Sequence, residues 1–566
     1  MQLFRRSISK TEDSSSRACP PDSPSYPRGS SRFRGSLAGL VLLGVLVGLL
    51  PLTSPPTAHA GGFTIPLIGA RASTRFAFVA RPDDTSAVYH NPAGIGLLSE
   101  ARLDLSGTGV LTHTTYYRCS RAFDENGVPG CYPGPNGELF EKPISTTRWG
   151  KYPKGFGILP FLGLSGRFGL KKWSFAFGIY SPHNATGSFP DCKRDDDGSP
   201  TDCSEASQRF DVIRGTVNTI YLTPTVAYQP HPAITLGGGV SAVRASIELK
   251  RAQWLGGPEG SAAVWWEGEG LMDLRATAWS YAFNLGFIWN LGETFPIHNP
   301  WLKNIRIGAS YASQTSFDFS GKVEITSVPI AAFAQSCDVG DMSVSCRAKS
   351  RFRFPMVLRV GVDWELPRHG SLGVDVIWQN YTVYDKIHLR FPEPLVVELP
   401  GDDPITLSET REPKNSRDVV TVAVGGQWNV IYVPGLEVRA GFLWDKSPYP
   451  NATYSLLNPD ADKMGLALGV SYRFKVGRWG RIGSELEVSA GYGALFYRDR
   501  VVRNSIIRPS ICPAGDLECL ESLPDADFSV NGDVKDKRVD FFVLQLTWRL
   551  VSLGGESVEP PKDGSP

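Results

Sequence analysis

The chain has 566 residues, with 58 Lys+Arg against 57 Asp+Glu and a formal net charge of +1. That balance gives no field to gather nucleic acid, and a mean hydropathy of −0.14 excludes a bundle of membrane helices. It does not exclude a membrane β-barrel, whose strands are apolar on one face only.

Residues 1–60 read as a Ser/Pro-rich extension followed by an export signal. Arg32 and Arg34 precede an apolar run from Leu37 to Leu52, and Ala58-His59-Ala60 fits the small-x-small cleavage rule, so the mature chain is expected to begin at Gly61. The apolar run is shorter than the ~20 residues of a spanning helix. Residues 61–99 follow, without strand alternation. They hold Phe76 and Phe78, then Asp83-Asp84-Thr85-Ser86-Ala87, then Asn91-Pro92-Ala93-Gly94. Asn-Pro alone is a turn signal. Buried carboxylates need partners, so Asp83 and Asp84 are expected to meet barrel cations such as Arg359, Arg439 or Arg473.

From residue 100 to 550 the dominant signal is period-2 alternation, which sends successive side chains to opposite faces of a strand. In 356–366 the even positions are Met356, Leu358, Val360, Val362, Trp364 and Leu366, while Arg359, Asp363 and Glu365 are odd. The segments 436–445 and 542–550 repeat the pattern. Fourteen strands are predicted, at 101–112, 156–167, 172–181, 212–229, 233–249, 276–291, 303–320, 351–366, 371–389, 417–429, 435–446, 463–475, 481–498 and 537–550. Their length, the aromatics at their ends (Trp378, Trp428, Trp444, Trp548) and the alternation of short with long connections point to a bacterial outer-membrane barrel. An even strand number leaves no free edge. The expected fold is therefore all-β: a 14-stranded antiparallel transmembrane β-barrel. Residues 551–566 form a Gly/Pro/acidic tail expected to be disordered.

The third strand ends at Ser181-Pro182. Proline cannot donate a ladder hydrogen bond, so Pro182 either breaks the wall or simply ends the strand. Cys119/Cys131, Cys192/Cys203, Cys337/Cys346 and Cys512/Cys519 each fall within one long connection; in an exported chain, local disulfides are expected. With no CxxC and no nearby His, no metal site is expected. Two long connections are unusually apolar: 251–275, with Trp254, Trp265, Trp266, Leu271 and Met272, and 322–350, with Val328, Ile330 and Phe333. Such clusters suit capture of a hydrophobic ligand, or packing of loop on loop. No GxSxG, HExxH or Walker A pattern occurs, and no catalytic set or cofactor is expected.

Five segments carry a resemblance, in order: Gly61-Gly62-Phe63 with the Asp83–Gly94 run, 221–228 (YLTPTVAY), 305–321 (IRIGASYASQTSFDFSG) with 354–366 (FPMVLRVGVDWEL), 438–450 (VRAGFLWDKSPYP) and 459–474 (PDADKMGLALGVSYRF). Together they resemble the outer-membrane long-chain fatty-acid transporter family (FadL type), whose relatives also pass aromatic hydrocarbons. The resemblance implies that 61–99 form a hatch, or plug, inside the lumen, gated through Asp83, Asp84, Asn91, Pro92, Ala93 and Gly94. It implies capture among the outer loops, an inner pocket to which Phe76 and Phe78 could contribute, and lateral exit at Ser181 and Pro182. The expected function is passive uptake of hydrophobic small molecules, long-chain fatty acids first. The alternatives are a channel for small aromatic hydrocarbons, a structural or adhesive barrel using its disulfide-braced loops, and a lipid-degrading barrel enzyme. The implied partners are the ligand, outer-membrane lipid and lipopolysaccharide, and the assembly machinery, for a monomer in the bacterial outer membrane.

Overall fold

In the computed structural model the described residues are 67–124, 128–134, 136–145, 156–195, 200–203, 205–254, 269–295, 303–326, 331–333, 337–340, 343–366, 370–398, 405–457, 459–479, 482–506 and 530–552. The export signal, Trp265, Trp266, Ile330, Cys512, Cys519 and residues 553–566 lie outside them.

The alternating segments form one closed antiparallel sheet. Collinear segments merge into fourteen barrel strands: β1 Ala101–Arg118, β2 Phe156–Gly166, β3 Trp173–Tyr180 with Asn184–Ser188, β4 Arg214–His231, β5 Ile234–Trp254, β6 Glu269–Asn290, β7 Ile305–Ala312 with Thr315–Thr326, β8 Ser343–Phe354 with Val357–Leu366, β9 Gly370–Gln379 with Lys386–Glu398, β10 Ile405–Pro413 with Val419–Asn429, β11 Leu436–Asp445, β12 Lys463–Trp479, β13 Ile482–Tyr497 and β14 Gly532–Ser552. Closure is made by β1 on β14, running from Ala101 opposite Leu550 to Arg118 opposite Gly532. No backbone edge is left there to face lipid, where each unpaired group would cost several kcal/mol, on the order of 2–7.

The outside of the wall is apolar: Leu358, Val360 and Val362 on β8 and Val438, Phe442 and Trp444 on β11 are exposed, while their alternates Arg359, Asp363, Glu437 and Arg439 are buried inside. A water-soluble barrel would carry the opposite arrangement.

Two predicted loops are corrected. The described parts of 251–275 and most of 322–350 are strand: β5 pairs with β6 as far as Trp254 opposite Glu269, and β7 pairs with β8 as far as Thr326 opposite Ser343. Leu271 and Met272 are thus ladder residues, opposite Ala252 and Arg251. Strands β7 to β10 bend where they leave the apolar band, at Ser313-Gln314, Pro355-Met356, Asn380–Asp385 and Lys414–Asp418, and continue outward. Beyond the band the outward positions are polar, so alternation persists there without the apolar signal that marks a membrane strand.

Residues 67–98 lie within the ring of strands. They form helix α1 (Ala70–Arg75), a short turn of helix α2 (Ala87–His90) and a 3-10 helix (Pro92–Leu97). Asn91 caps the last by accepting the Ala93 N–H (3.2 Å), with Pro92 at its first position. Proline there has no N–H to satisfy and is pre-set for the turn.

An interlocked N-terminal segment beneath a lumenal cavity

The N-terminal segment is fixed by charge. Arg71 on α1 reaches Glu487 (2.9 Å), Glu437 (3.0 Å) and Asp83 (3.2 Å). Arg75, one turn on, pairs with Asp363. Arg81 bonds Glu365 at 3.1 Å and lies 3.8 Å from Asp83. Asp83 is therefore held by cations of its own segment, not by Arg359, Arg439 or Arg473. Burial alone would raise its pKa, but Arg71 and Arg81 outweigh that and bring it to about 2. Asp84 instead accepts from the Ser86 N–H (2.9 Å) and hydroxyl; burial, with Asp104 close by, pushes its pKa up to about 6. Arg439 is spent on Glu437 (2.6 Å), and Arg473 on Glu487 (3.2 Å).

Polar inner-face residues complete the seat. Asp375 accepts the Phe78 and Val79 N–H groups (2.5 and 2.8 Å), Asp104 accepts Thr85 N–H (2.9 Å), and Gln545 accepts Ala70 N–H (2.7 Å). The Asn91 amide donates to Val79 O (2.8 Å) within the segment and to Phe287 O (3.2 Å) on β6. Gly286 and Gly237 make that approach possible, because a Cβ on either would collide with Asn91 or the Pro92-Ala93 backbone. Of the predicted gating residues, Asn91, Pro92 and Ala93 thus lie against β5 and β6, Gly94 lies on Pro82 of the segment itself, and Asp83 O accepts from Arg102 of β1 (2.7 Å).

Above this seat lie two adjoining, partly open clefts with cavity volumes of about 30 and 40 Å³. They share Tyr89, Val357 and Arg359. Leu67, Phe76, Ile377, Leu443 and Leu495 make the first largely apolar. Phe76 reaches it from the centre of a γ-turn (φ 60°, ψ −47°), closed by the Ala77 N–H donating to Arg75 O (2.7 Å), a rare and strained conformation. Lys463, also on the first cleft, is neutralised by Asp445 (2.7 Å) and Asp460 (3.1 Å).

Arg359 differs from Arg71, Arg75 and Arg81, each of which meets a carboxylate. It is 4% exposed, its guanidinium lies 4.8 Å over the Tyr89 ring, and among the described residues no carboxylate pairs with it. Its neighbour His90 is neutral, since burial and the Arg359 charge bring its pKa down to about 3. The ring contact is worth up to about 2 kcal/mol, against several kcal/mol for a buried ion with no counter-charge. Among the described residues the lumen therefore holds a buried cation that no carboxylate balances.

The second cleft reaches Pro182 and His183, at the interruption of β3. β2 pairs with β3 only from Phe161 to Gly166, so its residues 156–160 are laddered to β1 alone. Past the break, Asn184–Ser188 pair only with β4. The His183 ring stacks on Phe354 across the cleft, with centroids 4.2 Å apart.

The other predicted ligand residues are scattered. Phe78 packs edge-on to His90 (5.3 Å) inside the segment and lines neither cleft. Leu271 is in the β5–β6 ladder; Trp254 and Phe333 are strand residues, Trp254 at the end of β5 and Phe333 in a three-residue strand, Ala331–Phe333. Of the four predicted disulfides, Cys119–Cys131, Cys192–Cys203 and Cys337–Cys346 are formed.

A closed barrel with an apolar outside, charged inside and filled lumen defines an outer-membrane channel protein. The family model described as outer membrane protein transport protein (OMPP1/FadL/TodX) matches residues 54–507, and the chain belongs to that family. It is 23% identical over 473 residues to a putative outer membrane protein of Neisseria meningitidis serogroup B, covering 79% of this chain and 89% of that one. It is 23% identical over 303 residues to a long-chain fatty acid transport protein of Escherichia coli O6:H1, covering 50% of this chain and 63% of that one. Among solved structures it shares the fold of a Pseudomonas aeruginosa FadL homologue (TM-score 0.59, 18% identity, 88% of this chain and 99% of that one). It also shares the fold of the Ralstonia pickettii toluene transporter TbuX (TM-score 0.52, 16% identity, 86% and 99%).

Proposed function

We propose that the protein takes up long-chain fatty acids by passive diffusion: the carboxylate is received by Arg359 and the acyl chain by the apolar cleft around Phe76. Residues 67–98 act as the hatch, and the break at Ser181-Pro182 is the lateral exit. The observation that carries this reading is the buried, uncompensated guanidinium of Arg359. A hydrocarbon gives such a cation nothing, whereas a carboxylate gives it a charge-assisted bond. Each methylene moved from water adds about 0.8 kcal/mol. A likeness to a named fatty acid transport protein supports the same cargo.

The second reading is a channel for monoaromatic hydrocarbons. It is favoured by the aromatic second cleft, where Tyr180 and Tyr221 stack at 5.4 Å and His183 lies on Phe354, and by the fold shared with a toluene transporter. Calorimetric titration of the detergent-purified barrel with oleate and with toluene separates the two. Under the fatty-acid reading, Arg359→Leu weakens oleate by roughly 10- to 100-fold, the loss of one bond to a charged group, and leaves any toluene binding unchanged. Equal oleate affinity in Arg359→Leu and wild type would remove the basis of the reading.

A further inference from the structure

Where β6 to β9 pass beyond the apolar band they carry a basic outer face. On β8 four successive outward positions are Arg347, Lys349, Arg351 and Arg353, all exposed, while Val344, Cys346, Ala348 and Phe354 turn inward and are buried. The register sets these charges side by side. Arg275 on β6 is opposite Lys322 on β7, which is opposite Arg347 on β8, a row of three cations across three strands. One row nearer the membrane, Lys349 is opposite Arg390 on β9. Directly opposed side chains on one face lie about 5 Å apart, and like charges so placed repel.

The carboxylates on this face do not cancel the rows. Asp273 takes Arg275 (2.7 Å), Asp318 takes Arg351 (2.6 Å), Glu409 lies 3.7 Å from Arg390 and the exposed Asp338 lies 3.7 Å from Lys322. Glu248 stands 3.7 Å from Arg275, and Glu324 falls in the row farther from the membrane. Arg347, Lys349 and Arg353 have no carboxylate partner among the described residues. The opposite side of the barrel is different: at the corresponding level Arg538 is matched by Asp540 (2.6 Å) and Lys535 by Asp533 (3.4 Å).

Position adds a second argument. Arg353 is five residues beyond the lipid-facing Leu358 on β8, and Arg275 is four beyond the exposed Trp279 on β6. At a rise of about 3.3 Å per residue and a tilt near 40°, the cations begin on the order of 10 to 13 Å above the apolar edge. That is the level of lipid headgroups, on the side of the long, disulfide-bearing connections.

We propose that this face is a docking surface for the phosphorylated headgroup of an outer-leaflet glycolipid, with Arg347, Lys349 and Arg353 as the phosphate ligands and Lys322 and Arg275 flanking them. Guanidinium groups bind phosphate oxygens bidentately, and a phosphate set between opposed cations turns their repulsion into attraction.

The test is native mass spectrometry of the full-length barrel released from mixed micelles containing bisphosphorylated lipid A. Wild type is compared with a triple variant (Arg347→Gln, Lys349→Gln, Arg353→Gln) and with a control (Arg538→Gln, Lys535→Gln). Retained lipid A is expected to fall on the order of 10-fold or more in the triple variant and to be unchanged in the control. Heat-modifiable migration reports that each barrel is closed. Equal retention by wild type and triple variant overturns the proposal. So does equal retention of dephosphorylated lipid A, or of phosphatidylglycerol, since either denies a phosphorylated glycolipid as the occupant. Millimolar inorganic phosphate is expected to leave lipid A bound, and full displacement by it would reduce the face to a site for free anions.

Discussion

The lower and upper halves of one lumen treat arginine in opposite ways. Below, Arg71, Arg75 and Arg81 are each bound to carboxylates, and Arg71 alone holds three. Above, Arg359 is as deeply buried and has only a tyrosine ring. The lower set welds the N-terminal segment to the wall, so its cations serve structure. The upper one has no carboxylate partner among the described residues, and under the proposed function its charge receives the ligand.

The comparison is broken most strongly at Arg71. Arg71→Ala removes the segment's bonds to Glu437 and Glu487, which keep Arg439 and Arg473 beside them, a loss of about 1.5–3 kcal/mol for each hydrogen bond to a charged group. The expected outcome is loosening of the N-terminal segment while the barrel stays closed, read as faster protease cleavage within 67–98 and, if that segment is the proposed hatch, higher conductance in planar bilayers. The mirror substitution, Arg359→Leu, removes an ion that had no partner. It is expected to leave thermal stability unchanged or raise it by about 1 kcal/mol while oleate affinity falls. A large drop in melting temperature for Arg359→Leu would erase the distinction between the two halves.

Asn91→Ala is expected to come next. It removes the bonds to Val79 O and Phe287 O and the cap on Ala93, a loss of roughly 1–3 kcal/mol. Hydrogen exchange should rise over 87–98 and stay unchanged over 70–76. Uniform exchange across the segment would mean that charge and cap do not act as separate anchors.

A more local effect is a pH dependence at the mouth. The Asp211 carboxylate accepts from Ser455 Oγ (2.7 Å) and the Leu456 N–H, fastening one outer loop to another. Burial pushes its pKa from the ordinary 3.8 to about 6. A carboxyl group raised by folding stabilises the closed loops fully below the unfolded value and loses that contribution as pH rises through the folded one. Protection at the Leu456 amide is therefore expected to be highest below pH 4, to fall between pH 4 and 6, and to level off above, while Asp211→Asn flattens the profile. The span is at most about 3 kcal/mol, from a shift of about two pKa units.

Much of the wall was legible in the sequence because lipid on one side and a filled lumen on the other impose a strict period of two. β11 was expected at 435–446 and runs Leu436–Asp445. β7 and β8 were expected to stop near 320 and to start near 351, yet both extend farther, because outside the bilayer both faces of a strand can be polar or weakly apolar and the contrast that marks it disappears. Asp83 and Asp84 were rightly singled out as needing partners, but the partners were sought on the barrel. The cations spaced four apart at Arg71 and Arg75, which put both on one face of α1, were the signal to follow. The isolation of Arg359 has no sequence signature, since a missing neighbour is a property of folded space.

The seam between β1 and β14 joins the two ends of the barrel chain, and this sets an order of events during biogenesis. Gln545 and Thr547, which bond Ala70 and Asp104 respectively, arrive on the last strand delivered. Until that strand docks, the nascent barrel carries two raw edges, at β1 and β13, and its N-terminal segment lacks one of its fasteners. Closing the cylinder and completing the seat of the N-terminal segment therefore coincide, so a chain halted short of residue 532 would expose open sheet edges and leave that seat without its bond to Gln545.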